Sequence, residues 1–188
     1  MYYNNFMDMK KIFKELFSYV KIIVITWVSI YIFTNFLFRP VIVEGRSMYP
    51  TLHDKDMGFS NIIGVKLDGI KRFDIVVIKP NASSDLIVKR VIGLPGETVE
   101  YRNDKLYIDG EYLAEFFLDN EYFFEYTADG KLFTIDFKYS LKEGEYYCLG
   151  DNRPRSSDSR VIGPIKISQI VSKSVIILYP FSDFLKGK

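Results

Sequence analysis

The chain has 188 residues, with 25 Lys and Arg against 24 Asp and Glu, for a net charge of +1. That balance excludes a polyanion binder working through bulk charge, so no nucleic-acid partner is expected. One cysteine, Cys148, excludes an internal disulfide framework and a Cys-rich zinc site, and one histidine, His53, is too few for a His-built metal centre; no cofactor is expected.

Near the N-terminus, Ile22–Phe38 is a run of 17 residues without a charge. As a helix it measures about 25 Å, and Tyr19, Val20 and a snorkelling Lys21 extend it to roughly 30 Å, the thickness of a hydrocarbon core. Arg39 and Pro40 stop it. The run is longer than the apolar part of a cleaved leader, and no small-x-small cleavage site lies near its end. It is read as an uncleaved transmembrane anchor over 22–38. The 1–21 segment is a short cytoplasmic lead-in whose helix lies partly at the membrane surface. Lys10, Lys11, Lys14 and Lys21 precede the anchor, while Arg39, Arg46 and Lys55 follow it. The modest excess favours a cytoplasmic N-terminus and an extracytoplasmic C-terminal domain.

After Pro40 the apolar period becomes two. Asp74–Lys79, Leu86–Ile92, Thr98–Tyr101, Lys105–Ile108, Leu132–Phe137, Glu145–Leu149 and Val175–Leu178 read as short strands, with hairpin turns at Asp109-Gly110 and Asp129-Gly130. No strong amphipathic helix follows the anchor. The fold class is therefore mostly β: one antiparallel domain over 40–188, with an aromatic-rich inserted ribbon over 101–148, behind one transmembrane helix.

Three clusters could carry chemistry. In Glu44-Gly45-Arg46-Ser47-Met48-Tyr49-Pro50-Thr51-Leu52, Gly45 permits close backbone approach and Pro50 fixes the exit of a turn around Ser47. An ordinary turn serine has the same local signature, and Tyr49 stands where a G-x-S-x-G elbow needs its second glycine. In Val88–Glu97 (VKRVIGLPGE), strand alternation puts Lys89 on one face with Ile87 and Val91, and Val88, Arg90 and Ile92 on the other. Lys89 is then either a snorkelling edge-strand lysine or a desolvated amine able to act as a base. The third cluster, Gly150–Gly163 (GDNRPRSSDSRVIG), has a loop's composition, and its Asp, Asn, Arg and Ser side chains can also scaffold a site. Cys148 reads as a small buried hydrophobe.

Taken together, the anchor and the three blocks in this order resemble the type I signal peptidases, membrane-bound serine proteases with a Ser–Lys dyad. The resemblance covers the whole layout of the chain. It implies Ser47 as nucleophile, Lys89 as general base, and Ser156 as the hydroxyl that orients the Lys89 amine. It implies Asp151, Arg153, Asp158 and Arg160 as scaffold, with Arg90 paired to one aspartate, and Met48 as the lining of a pocket for small side chains. If the strands through Ile42–Glu44 and Leu86–Lys89 flank the cleft, Val43, Met48, Leu52 and Val88 wall shallow apolar pockets. The Ser47 backbone N–H would be an oxyanion donor. Some relatives carry a serine two positions before the nucleophile as a second donor; here that position is Gly45. The implied partners are exported preproteins and the lipid bilayer, cleaved after an Ala-x-Ala pattern by a single-pass monomer of the cell membrane. Three rival readings are a repressor-like autoprotease, which would carry a DNA-binding domain in place of the anchor, a Ser–His–Asp protease using His53, and a membrane-anchored assembly protein, for example pilus-associated, with an inactive site.

Overall fold

The computed structural model describes residues 2–81, 85–118 and 120–180. The catalytic-domain range expected to end at 188 thus has its last eight positions outside the described residues. The chain opens with α1 (Tyr2–Ile32), continues through a π-helical turn (Phe33–Leu37), and enters β1 (Phe38–Ile42). Within this stretch Met9–Leu37 is apolar and long enough to cross a membrane, and its hydrophobic window is wholly unburied by protein. The segment expected as a helical lead-in is helical and continuous with the apolar stretch in α1. Arg39 and Pro40 fall inside β1 rather than ending a helix. Proline is tolerated there because β1 is an edge strand, whose outward N–H groups need no partner.

There follow β2 (Met57–Asn61), α2 (Ile63–Leu67), β3 (Ile75–Ile78), β4 (Ile87–Gly93), β5 (Thr98–Arg102), β6 (Lys105–Ile108), β7 (Glu111–Leu113), α3 (Glu121–Thr127), β8 (Phe137–Ser140), β9 (Glu145–Leu149), α4 (Ser159–Ile162), β10 (Ile165–Lys166) and β11 (Ile170–Tyr179). Seven strands form one sheet in the order β1-β2-β11-β3-β4-β9-β10, and four form a second in the order β7-β6-β5-β8. Every pairing is antiparallel. The second sheet runs from Thr98 to Ser140; Glu145–Leu149, read from sequence as part of the ribbon, is β9 of the large sheet.

Local chemistry explains the turns. Asp109 and Gly110 both have positive φ (51° and 89°), the geometry a two-residue hairpin between β6 and β7 requires. Asp129-Gly130 does not join two strands. It follows α3, and Gly130 N–H donates to the Thr127 carbonyl at 2.9 Å with φ of 74°, closing the helix. That helix lies inside the 101–148 stretch expected to be a ribbon. Asn120 caps it, its side chain accepting from Phe123 N–H at 3.0 Å. Strand β8 begins at Phe137 rather than Leu132 because the Asp104 carboxylate takes the Phe133 and Thr134 N–H groups at 3.1 and 2.6 Å, which removes them from a ladder.

The core has three parts. Ile92, Val99, Tyr101, Leu106, Leu141, Tyr147 and Leu149 weld the two sheets together. Val76, Ile78, Val91, Cys148, Ile165 and Ile170 fill one face of the large sheet. Val43, Met48 and Leu52 pack with Ile75, Val88 and Ile177 on the loop that carries Ser47.

Candidate active site

Lys89 lies in mid-β4, opposite the fully buried Val76 of β3, and is itself only 3% exposed. The alternation read from sequence thus becomes a real environment: the amine rises from a wall of branched residues. Its Nζ lies 2.7 Å from Ser47 Oγ and donates to it. Burial lowers the Lys89 pKa from 10.5 to about 8, and the negative charges of Asp158 and Asp151 offset only part of that effect.

Ser47 is presented on a turn after Gly45, whose φ of 83° lies in the region that favours glycine. Gly45 N–H donates to Asp54 Oδ1 at 2.8 Å, so this amide is already occupied. Met48, one residue on, is buried, and Leu52 N–H closes a helical turn onto its carbonyl at 2.9 Å. Val43, Met48 and Leu52 are buried and pack with Val88 in one apolar core cluster.

The third sequence block folds behind this pair. Asp151 is fully buried and takes both prongs of Arg90, Nε to Oδ1 at 2.8 Å and Nη2 to Oδ2 at 2.6 Å, as well as the Thr51 hydroxyl at 2.5 Å. Arg153 is buried among Glu115, Tyr101 and the Gly150 carbonyl, at 2.6, 2.6 and 3.0 Å. Burial opposes its charge, but Glu115, Tyr101 and Asp151 together outweigh that and push its pKa up, so the guanidinium stays protonated. Asp158 holds the two prongs of Arg160 at 2.8 Å each and accepts from Gly150 N–H at 3.0 Å. Burial works against its carboxylate, yet Arg160 and the Gly150 amide hold its pKa below the ordinary value. The Cys148 thiol is pushed up by burial and stays protonated.

The Ser156 hydroxyl is buried beside the Asp158 carboxylate, whose pKa it helps to lower, and no Ser156–Lys89 hydrogen bond forms among the described residues; the amine donates to Ser47. The hydroxyl lies against Gly150, where a Cβ would stand 2.2 Å from Ser156 Oγ and 2.3 Å from the Ser47 carbonyl oxygen. His53 faces Asp56, with Nδ1 3.9 Å from Oδ2, and the edge of Tyr49, and its side chain is half exposed. Among the described residues no group of three or more His, Cys, Asp or Glu side chains converges to hold a metal ion.

The sequence reading did not single out Thr51, Glu115 or Asn152. Asn152 N–H donates to the Ser47 carbonyl at 3.0 Å and its Nδ2 to the Arg46 carbonyl at 2.9 Å. Its place inside the third block was the only available signal. Glu115 gave none, because its role depends on a partner 38 residues away.

Residues 16–179 match the family model described as Signal peptidase, peptidase S26. A signal peptidase I of Bacillus amyloliquefaciens is 41% identical over 170 residues, covering 89% of this chain and 88% of that protein. Signal peptidase I S of Bacillus subtilis is 38% identical over 175 residues, covering 92% and 94%. Signal peptidase IB of Staphylococcus aureus is 37% identical over 182 residues, covering 91% and 93%. Among solved structures, a signal peptidase I from Enterococcus faecalis superposes with a TM-score of 0.52 at 38% identity, covering 56% of this chain and 96% of that one.

Proposed function

The chain belongs to the peptidase S26 family of signal peptidases, and from that premise we propose that it removes N-terminal signal peptides from exported preproteins through a Ser47–Lys89 dyad. The observation that carries this reading is the 2.7 Å contact between Lys89 Nζ and Ser47 Oγ in surroundings that bring the amine's pKa to about 8. A serine hydroxyl is a weak nucleophile and needs an adjacent base. An ordinary lysine is charged at neutral pH and has no lone pair to offer. At a pKa near 8 a useful fraction of Lys89 is neutral, and the contact then runs the other way, with the Ser47 O–H donating to the amine nitrogen.

The steps follow. Lys89 takes the Ser47 proton as Oγ attacks the scissile carbonyl. The Lys89 ammonium returns a proton to the leaving amine, and an acyl-enzyme on Ser47 remains. Water then attacks the acyl carbonyl with Lys89 again the base, the bond from that carbon to Ser47 Oγ breaks, and Lys89 returns the proton to Oγ as the carboxylic product leaves. The Ser47 N–H donates to no described residue, and in this reading it donates to the developing oxyanion. The Gly45 N–H is held by Asp54, so it is not the second donor. Arg90, Asp151, Arg153, Asp158 and Arg160 keep the base and the nucleophile loop in register.

An extended substrate would pair by backbone hydrogen bonds with the segment through Val43 and with β4, and the packed apolar cluster of Val43, Met48, Leu52 and Val88 would then disfavour bulky side chains at the first and third positions before the cut. This is the basis for an Ala-x-Ala preference. The apolar helix serves as a single-pass anchor, N-terminus inside, which puts a monomeric 40–188 catalytic domain where preproteins emerge, with 101–148 as its insert.

The test is incubation of the detergent-solubilised full chain with a preprotein, followed by N-terminal sequencing of the product. Cleavage after Ala-x-Ala that disappears in Ser47→Ala supports the proposal; efficient cleavage after Phe or Leu, or persistence in Ser47→Ala, refutes it. In intact protoplasts, added protease should reach the exposed Lys131 turn; digestion only after lysis would reverse the topology.

A further inference from the structure

One side chain outside all three sequence blocks reaches the nucleophile loop. Tyr122, on α3, donates its hydroxyl to Asn152 Oδ1 at 3.0 Å. Asn152 is only 2% exposed, and its Nδ2 donates to the Arg46 carbonyl at 2.9 Å while its N–H donates to the Ser47 carbonyl at 3.0 Å.

An amide side chain has unlike ends. The Arg46 carbonyl can only accept, so Nδ2 must face it, and Oδ1 is then turned inward as a buried acceptor that needs a donor. Tyr122 is that donor. The Arg46 carbonyl and the Ser47 N–H belong to one planar peptide unit and point in opposite directions. The Tyr49 N–H also donates to that carbonyl, at 3.3 Å, so Asn152 Nδ2 supplies the shorter of the two bonds that hold it, and what holds the carbonyl aims the N–H. A hydrogen bond at the carbonyl also polarises that N–H. The Tyr122 ring supports the same loop from outside, edge-on to Tyr49 with centroids 4.9 Å apart, while α3 is itself fixed by its Asn120 cap.

We propose that Tyr122 is a positioning residue: through Asn152 it fixes the Arg46–Ser47 peptide and so aims the Ser47 N–H at the oxyanion. This rests on the assignment of Ser47 as nucleophile. The role belongs to the transition state, because the oxyanion exists only there, and it leaves Lys89 and the apolar pocket untouched.

The experiment compares parent, Tyr122→Phe, Asn152→Ala and the double variant on a peptide substrate, with thermal unfolding of each in detergent. Phenylalanine keeps the ring against Tyr49 and removes only the hydroxyl. The loss of one neutral hydrogen bond predicts a fall in kcat of about 2- to 10-fold, with KM and the position of the acidic pH limb unchanged. Asn152→Ala should cost at least as much, and the double variant no more than Asn152→Ala alone. An unchanged kcat in Tyr122→Phe, a loss confined to KM or to melting temperature, or additive effects in the double variant would each overturn the proposal. Failure of the underlying peptidase assignment would show separately, as cleavage that survives Ser47→Ala.

Discussion

Arg90 and Asp151 meet as a two-pronged ion pair, almost wholly removed from solvent, between mid-β4 and the loop after β9. Arg90 is the immediate neighbour of Lys89 and points to the opposite face of the strand. The pair therefore locks the strand that carries the amine to the loop that carries Asn152 and Ser156. Removing one partner leaves a buried charge without compensation. Asp151→Ala should destabilise the domain by about 3–5 kcal/mol, read as a lowered denaturant midpoint. A change below about 1 kcal/mol would mean that the pair is not a structural lock.

The two dyad residues should fail together. Ser47→Ala and Lys89→Ala should each abolish preprotein cleavage, and the double variant should be no worse than either, since members of a catalytic unit are not additive. Lys89→Arg should also be inactive, because a guanidinium stays charged and cannot accept the proton. His53→Ala should match the parent; a loss of about a thousandfold there would transfer the base to the imidazole.

Acid should inactivate the enzyme through Lys89. With its pKa lowered to about 8, kcat/KM should rise with pH along a single limb centred there. The same shift fixes the sign of a stability effect. Between about 8 and 10.5 the unfolded chain binds more protons at this lysine than the folded one, so its contribution to stability rises with pH across that window. Below it the penalty for burying the ammonium is fully present. Unfolding midpoints against pH should show this slope in the parent and lose it in Lys89→Met.

Gly150 is required for space, since its φ is not in the left-handed region. A methyl group there would overlap Ser156 Oγ and the Ser47 carbonyl, both closer than 2.5 Å. Gly150→Ala should displace the nucleophile loop, costing about 1–3 kcal/mol of stability and most of the activity. An active, fully stable variant would show that the loop can shift without consequence for Ser47.

Some of this was written in the local sequence. The uncharged run after Lys21 forms a helix long and apolar enough to cross a membrane, and alternation in Ile87–Ile92 requires Lys89 to share a face with Ile87 and Val91. Asp109-Gly110 requires a tight hairpin, because its two positive φ angles are cheap for those residues. Each follows from backbone sterics and from the period at which side chains repeat, which neighbours within a few residues settle. Other features depended on groups far apart along the chain. Ser47 and Lys89 are separated by 42 positions and Arg90 and Asp151 by 61, and both meetings are set by the β3-β4-β9 register and by the turns that enter it. Leu132–Phe137 has the composition of a strand, yet the Asp104 carboxylate takes its first amides; Glu121–Thr127 is aromatic enough for a ribbon, yet the Asn120 cap makes it a helix. Tertiary contacts decided these cases because two backbone states lie close in local energy there, and one hydrogen bond to a distant or flanking side chain is enough to choose between them.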